Sequence, residues 1–427
     1  MQRVDLAGRR LLAVLLVCVG IFTVGGYLLK AQCIGVDNYN AKRDKALCSN
    51  DIQVLFWNRH LDQHRFPYIH GRLITHPDGS IDLTGGTVEY PVLTGLFAWF
   101  PALFVSSDGG YLRLSALLLA PFSFLTVFLL SRMVRWRALL YALAPPLIWY
   151  SFHNWDLLVV CATTAALYFW WRERFAWAGA LLAIGGWLKF WPLLLVVPLA
   201  LDLWHRKKRQ SLWSAVGTFV WVSVLVNGYF IVRSPAGWWA PYAFQKARAA
   251  DITANSIWYW GFSKPVATST LNTVVPLLVL LGMVIACGYG WRRAQREGVF
   301  PFLQVCGAIL AVFMVTNKAH SPQYALWLLP FFCLLRLRWG WWTAYMVFDL
   351  LMYVGLFRWY YALGTPAPDY GLPYEALILG IWGRATMLVL LFVVFLRAEP
   401  ALEPVPARRS VPGERDVARE PAGHRSQ

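Results

Sequence analysis

"LLAVLLVCVGIFTVGGYLL", residues 11–29, carries no charged side chain. At 1.5 Å rise per residue, a helix of this length matches the ~30 Å hydrocarbon core of a bilayer. Arg9 and Arg10 precede it and no small-residue cleavage site follows, which marks a retained anchor rather than a signal peptide. Apolar runs of this kind recur along almost the whole chain. Of its 427 residues 58% are hydrophobic and 14% charged, too little polar surface to cover a soluble protein of this size. The period-2 alternation of a β-barrel is absent. The expected fold is an all-α polytopic membrane protein.

The net charge of +17 does not mark a nucleic-acid partner, because the basic residues form no single patch. They sit in short clusters between apolar runs: Arg9-Arg10, Arg172 to Arg174, "HRKKRQ" at 205–210, "WRRAQR" at 291–296 and "RLRW" at 336–339. That is the positive-inside pattern, so these clusters and the N-terminus belong in the cytoplasm. The threading then gives a membrane domain over 1–397 with a first external loop at 30–90 and a second at 233–269. "YPVLTGLFAWFPALF" (90–104) is short for a span and reads as a short or re-entrant helix, while "SRMVRWR" (131–137) belongs in the cytoplasm. A helix runs inward from "HNWD" (153–156). Residues 176–204, basic at both ends, read as two short helices that dip in and return. Further helices are expected near 271–290, 300–317, 323–336, 340–357 and 376–397. The Pro-rich, charged stretch 398–427 reads as a disordered cytoplasmic tail. Residues 30–90, 153–156, 233–269, 317–323 and 358–374 therefore share the external face.

Five of the seven cysteines (Cys18, Cys161, Cys287, Cys306, Cys333) lie in apolar segments as packing residues. Cys33 and Cys48 bracket a polar external stretch, where either a disulfide or two thiols fits the sequence. No Cys-x-x-Cys metal signature occurs.

The external face concentrates the side chains with chemistry. In "CSNDIQVLFWNRHLDQHRFPYIHG" (48–71), Asp51, Leu55 and Arg59 share one helical face. A carboxylate at the bilayer surface suits a general base, and Ser49, Asn50 or Asp51 equally suits a helix N-cap. Glu89, where the loop re-enters the membrane, is either a structural acid or a contact to a substrate hydroxyl. Lys189 lies in "GGWLKFWPLLLVV"; a lysine at membrane depth costs on the order of 3 kcal/mol and needs a partner. A lipid phosphate and Asp156 are the two candidates. Asp156 itself also complements a helix N-terminus. In "TNKAHSPQYALWLLP" (316–330), Lys318, His320, Gln323 and Tyr324 crowd an outer turn, and Ser321-Pro322 starts the next helix. A Lys318–His320 cation pair there suits an anionic leaving group. Trp238, Trp239, Trp258 and Trp260 read as an interfacial belt, or as surfaces for sugar rings or prenyl chains.

Four stretches, in order, resemble the GT-C superfamily of polyprenyl-phosphate-sugar-dependent glycosyltransferases, and within it glycosyltransferase family 87, the actinobacterial membrane mannosyltransferases. They are Asp51 followed by Pro67-Tyr68, then Tyr90-Pro91-Val92-Leu93, "LKFWPLLL" (188–195) and "SPQYALWLLPFF" (321–332); "ITANSIWYWG" (252–261) is a looser match. Val92 departs from the family's second proline, and the loop from Asp51 to Glu89 looks longer and richer in His.

The resemblance implies a GT-C-like fold of roughly 10–13 transmembrane or re-entrant helices, with external loops over the active site. It implies an inverting transfer of a sugar, most often mannose, from a polyprenyl-phosphate carrier to a hydroxyl of a cell-envelope glycolipid or glycan. No cofactor and no metal are implied. Asp51 would be the catalytic base, with Lys189, Lys318 and His320 at the donor phosphate and Glu89, Tyr90, Asp156 and Gln323 as further substrate contacts. The protein would be a multi-pass plasma-membrane enzyme acting externally. The competing reading is a transporter or flippase for a lipid-linked saccharide, although no internal repeat is visible. A membrane scaffold would leave Lys189 unexplained.

Overall fold

The computed structural model describes residues 2–37, 41–77, 79–365 and 371–404. Among the described residues six helices are long and apolar enough to cross a membrane: Ala7–Ala31, Asp108–Ala142, Arg209–Arg233, Thr268–Glu297, Trp339–Leu363 and Gly371–Arg397. Six shorter apolar helical segments pack among them. The protein is an all-α polytopic membrane protein by these helices.

The first helix shows how sequence becomes placement. Val14, Val17, Ile21, Val24 and Leu28 recur at three- and four-residue spacing and stay exposed, while Leu11, Leu15 and Val19 are buried. Water would penalise that outward stripe; lipid does not. Helices 209–233 and 268–297 likewise turn Trp221, Val224, Leu281 and Val284 outward. Inside, Arg384 and Asp349 form an ion pair at 3.3 Å. Trp149 Nε1 and Tyr150 Oη also donate to Asp349, at 3.0 and 3.4 Å. Two buried charges are tolerable only when neutralised and hydrogen-bonded in this way.

Several of the basic segments, around 137, 173, 205–208, 293 and 336, meet at one end. Arg137 donates to the carbonyls of Phe332, Cys333 and Leu335, and Arg293 Nη1 to Leu396 O. The tail expected from 398 is corrected at this end. Glu399–Pro400 pairs with Leu335–Arg336, and Glu403 N donates to Met133 O, so residues 398–404 pack against the helices. Residues 405–427 of that tail, and 366–370 of the expected outer segment 358–374, lie outside the described residues.

The opposite end carries the elaborated loops. Residues 30–90 contain a helix, Asp51–Asn58, and an antiparallel hairpin, Arg72–Thr75 with Ile81–Thr84, in register Leu73 to Leu83. The hairpin is an addition to the all-α expectation. Cys33 and Cys48 form a disulfide across a 15-residue separation. Residues 233–269 contain the helices Pro235–Ala247 and Ile257–Trp260. The short helix expected at 90–104 is Val92–Ala102. The pair expected at 176–204 is Phe175–Leu188 followed by a 3-10 turn and Val196–His205.

Candidate functional site

The helix Asp51–Asn58 is capped by Asn50, whose side chain accepts from Gln53 N at 2.9 Å. Asp51 is thereby relieved of capping, and its carboxylate is aimed elsewhere. Its backbone N–H donates to His153 O at 2.8 Å, tying the loop helix to the turn before helix Asp156–Trp171. In that turn the fully buried Asn154 fills its whole hydrogen-bonding capacity. Its Nδ2 donates to Asp51 Oδ2 at 2.7 Å and to Tyr90 Oη at 2.6 Å. Its Oδ1 accepts from Trp155 N at 2.7 Å and from Lys189 Nζ at 3.2 Å. One amide thus joins the base candidate, the loop aromatic and the buried lysine.

Asp51 sits deep among protein atoms yet keeps 38% of its side-chain surface open. Desolvation by that surround pushes its pKa up. Glu89 adds to the rise, while the Asn154 hydrogen bond and the cations Lys189 and Arg248 oppose it. His153 Nε2 lies 3.9 Å from Asp51 Oδ1. Burial and the nearby Lys30 hold His153 well below its ordinary pKa, so this neighbour is a neutral ring.

Lys189 is placed by a break in the chain. Helix Phe175–Leu188 ends just before it, and Lys189 is extended at φ −147°, ψ 139°. Pro192 opens the following 3-10 turn, folded back so tightly that a Cβ on Gly186 would overlap Leu193. Thr94 Oγ1 pins the break by donating to Leu188 O at 2.7 Å. The ammonium lies 3.6 Å from Asp156 Oδ2 and 3.9 Å from the centroid of the Tyr90 ring. Trp327 Nε1 donates to the other Asp156 oxygen at 2.7 Å, and Tyr324 stacks on Trp327 at 3.7 Å. Lys189 therefore does pair with Asp156. It also lines, with Glu89, Tyr90, Lys318, Tyr324 and Trp327, a cavity of about 230 Å³.

Tyr90 is held by its own loop. Tyr68 Oη donates between Tyr90 O at 2.9 Å and Pro91 O at 3.0 Å, over Gly95, where any Cβ would strike the Tyr68 ring. Burial, with Asp51 and Glu89 nearby, keeps the Tyr90 phenol protonated far above its ordinary pKa. Tyr90 Oη accepts from Asn154, which leaves its own proton available for a second partner.

The expected Lys318–His320 cation pair is not formed. Arg384 Nη2 lies 2.9 Å from His320 Nε2, and His320 Nδ1 lies 2.9 Å from Met314 O. A guanidinium only donates, so Nε2 accepts and the imidazole is neutral with its proton on Nδ1. Burial and Arg384 agree, pushing His320 well below its ordinary pKa. Lys318 is charged at neutral pH, its pKa lowered by burial to about 8. All three of its N–H donors are spent, on Lys246 O (3.2 Å), Arg248 O (2.8 Å) and Asn272 Oδ1 (2.7 Å). It is a clamp between loops. Gln323 is buried beside this turn and its Oε1 accepts from no described residue. Glu89 is bound by Arg59 Nε at 2.8 Å, and Arg59 Nη1 binds Asp82 at 2.7 Å. The structural reading of Glu89 thus has a partner.

Two functional candidates escaped the sequence reading. Asn154 was visible only as a polar residue before a helix start. Arg248, half-buried just after helix Pro235–Ala247, acts through its charge on both Asp51 and Tyr324. Beyond Phe190, Tyr242 and Trp238, whose tilted rings meet at 5.3 and 5.1 Å, an apolar groove of about 490 Å³ opens along helix 209–233. Among the described residues no three His, Cys, Asp or Glu side chains form a metal-binding group. No protein-family model, no curated protein and no solved structure matches the chain.

Proposed function

We propose that this protein is an inverting membrane glycosyltransferase that uses a sugar, mannose first among candidates, carried on a polyprenyl phosphate. The observation that carries the reading is the Asp51–Asn154–Lys189 chain. A partly open carboxylate is fixed one amide away from a buried ammonium, at the loop end of a lipid-facing helix bundle. In the reaction, Asp51 takes the proton of an acceptor hydroxyl. The oxygen attacks the anomeric carbon, and the carbon–oxygen bond to phosphate breaks with polyprenyl phosphate leaving. Lys189 and Arg248 offset the charge on the leaving phosphate, and the Tyr90 hydroxyl donates to it. The groove past Trp238 is apolar and open to lipid, which suits the carrier chain. The Cys33–Cys48 disulfide favours an oxidising compartment for the site end, hence the external face of the plasma membrane.

The test is transfer by purified protein from radiolabelled polyprenyl-phosphate-mannose to membrane glycolipid extract, with Asp51→Asn alongside. Transfer by wild type only supports the assignment. Full transfer by Asp51→Asn removes the base, and vesicle assays showing saccharide movement without a new glycosidic bond favour the transporter or flippase reading.

A further inference from the structure

A second cavity, of about 740 Å³, lies beyond Arg59 from the lysine cavity and is lined by Asp37, Trp57, Asn58, Arg59, Asp82 and Asp108, among others. Its volume is that of a small-molecule or oligosaccharide site. Three features of its wall restrict the ligand. Trp57 keeps 42% of its surface exposed beside carboxylates and an amide, where a buried position would have been cheaper. Three carboxylates line the bowl against two guanidiniums: Arg59 is bound to Asp82 and Glu89, and Arg43 stands 3.9 Å from Asp108 beneath it. Asp108 accepts from Gln53 Nε2 at 2.8 Å, which fixes its direction.

We propose that this bowl is a binding site for a neutral oligosaccharide. A pyranose has an apolar face of C–H bonds that covers an indole, and a rim of hydroxyls that donate to carboxylates and exchange hydrogen bonds with an amide. The negative excess disfavours phosphorylated or uronic sugars. The polar wall does not suit a lipid chain, and the carboxylates are not grouped for a metal among the described residues.

The bowl is also built into the candidate active site. Helix Asp51–Asn58 begins with the proposed base and ends with Trp57 and Asn58, about 10 Å away along its axis. Arg59 bonds Asp82 on the bowl and Glu89 on the lysine cavity, forming a shared wall. The bowl therefore seats the non-reacting part of an acceptor glycan, a statement that rests on the transferase reading.

The experiment is equilibrium binding to the full chain in lipid nanodiscs without any donor. It uses neutral mannose, glucose and arabinose oligosaccharides, with a uronate oligosaccharide and a lysine-rich peptide as comparators. Saccharide binding is thereby separated from transfer, and the bowl stands or falls whether or not the chain transfers sugar. The expected result is saturable binding of a neutral series, weakened about tenfold by Trp57→Ala and less by Trp57→Phe. Asn58→Ala, which leaves the indole in place, should weaken it too. No neutral saccharide bound at millimolar concentration, binding unchanged in both Trp57→Ala and Asn58→Ala, or preference for the peptide or the uronate would each overturn the proposal.

Discussion

Replacing Asn154 with leucine, close in size but without polar atoms, tests the centre of the site. Four hydrogen bonds disappear: those to Asp51, Tyr90, the Trp155 N–H and Lys189. Asp51 has 38% of its side chain open and can turn to water, so its loss weighs little on stability. Lys189 keeps Asp156 at 3.6 Å. The groups left unpaired in the interior are the Tyr90 hydroxyl and the Trp155 N–H, each costing about 1–3 kcal/mol. The expected loss is therefore about 2–6 kcal/mol. The assay is equilibrium unfolding in mixed micelles, followed by hydrogen exchange at residues 50–58 and 153–160. Exchange should rise in both segments, because Asn154 connects them. A change below about 0.5 kcal/mol, with exchange unaltered, would refute the hub.

Asp51→Asn should abolish transfer while leaving unfolding stability at neutral pH equal or greater. Burial raises the folded-state pKa of Asp51, so stability declines as pH climbs past the unfolded value through the folded one, and the ionised carboxylate is a net cost above it. A clear drop in melting temperature would contradict this. Arg384→Met should cost about 3–5 kcal/mol by stranding Asp349, and adding Asp349→Leu should recover most of it; a double variant no better than the single one would count against the pair. Cys33→Ser with Cys48→Ser should lower stability by about 3 kcal/mol, as expected for a 15-residue closure, read by unfolding with and without reductant. Lys318→Met should loosen residues 317–324 and 246–248 in hydrogen exchange; protection equal to wild type would exclude the clamp.

Sequence by itself determined the class and the succession of apolar segments. Apolar runs of spanning length and basic clusters at alternate junctions follow from the cost of burying charge in hydrocarbon, which acts on each segment separately. The break at Lys189 was legible for the same reason, since Gly185, Gly186 and Pro192 act locally on the backbone. The candidate residues Asp51, Asp156 and Lys189 were legible as types out of place in an apolar chain, and Tyr90 only through the motif resemblance. Their assembly around Asn154 was not, because residues 51, 90, 154 and 189 are joined only by folding. Lys318 and His320 show the limit most plainly. Composition presents two cations on one turn, but a protonated lysine with three acceptors is a clamp, and an imidazole facing a guanidinium is neutral. Whether a polar side chain is free for a substrate depends on which neighbours have already claimed its protons and lone pairs, and only the tertiary structure decides that.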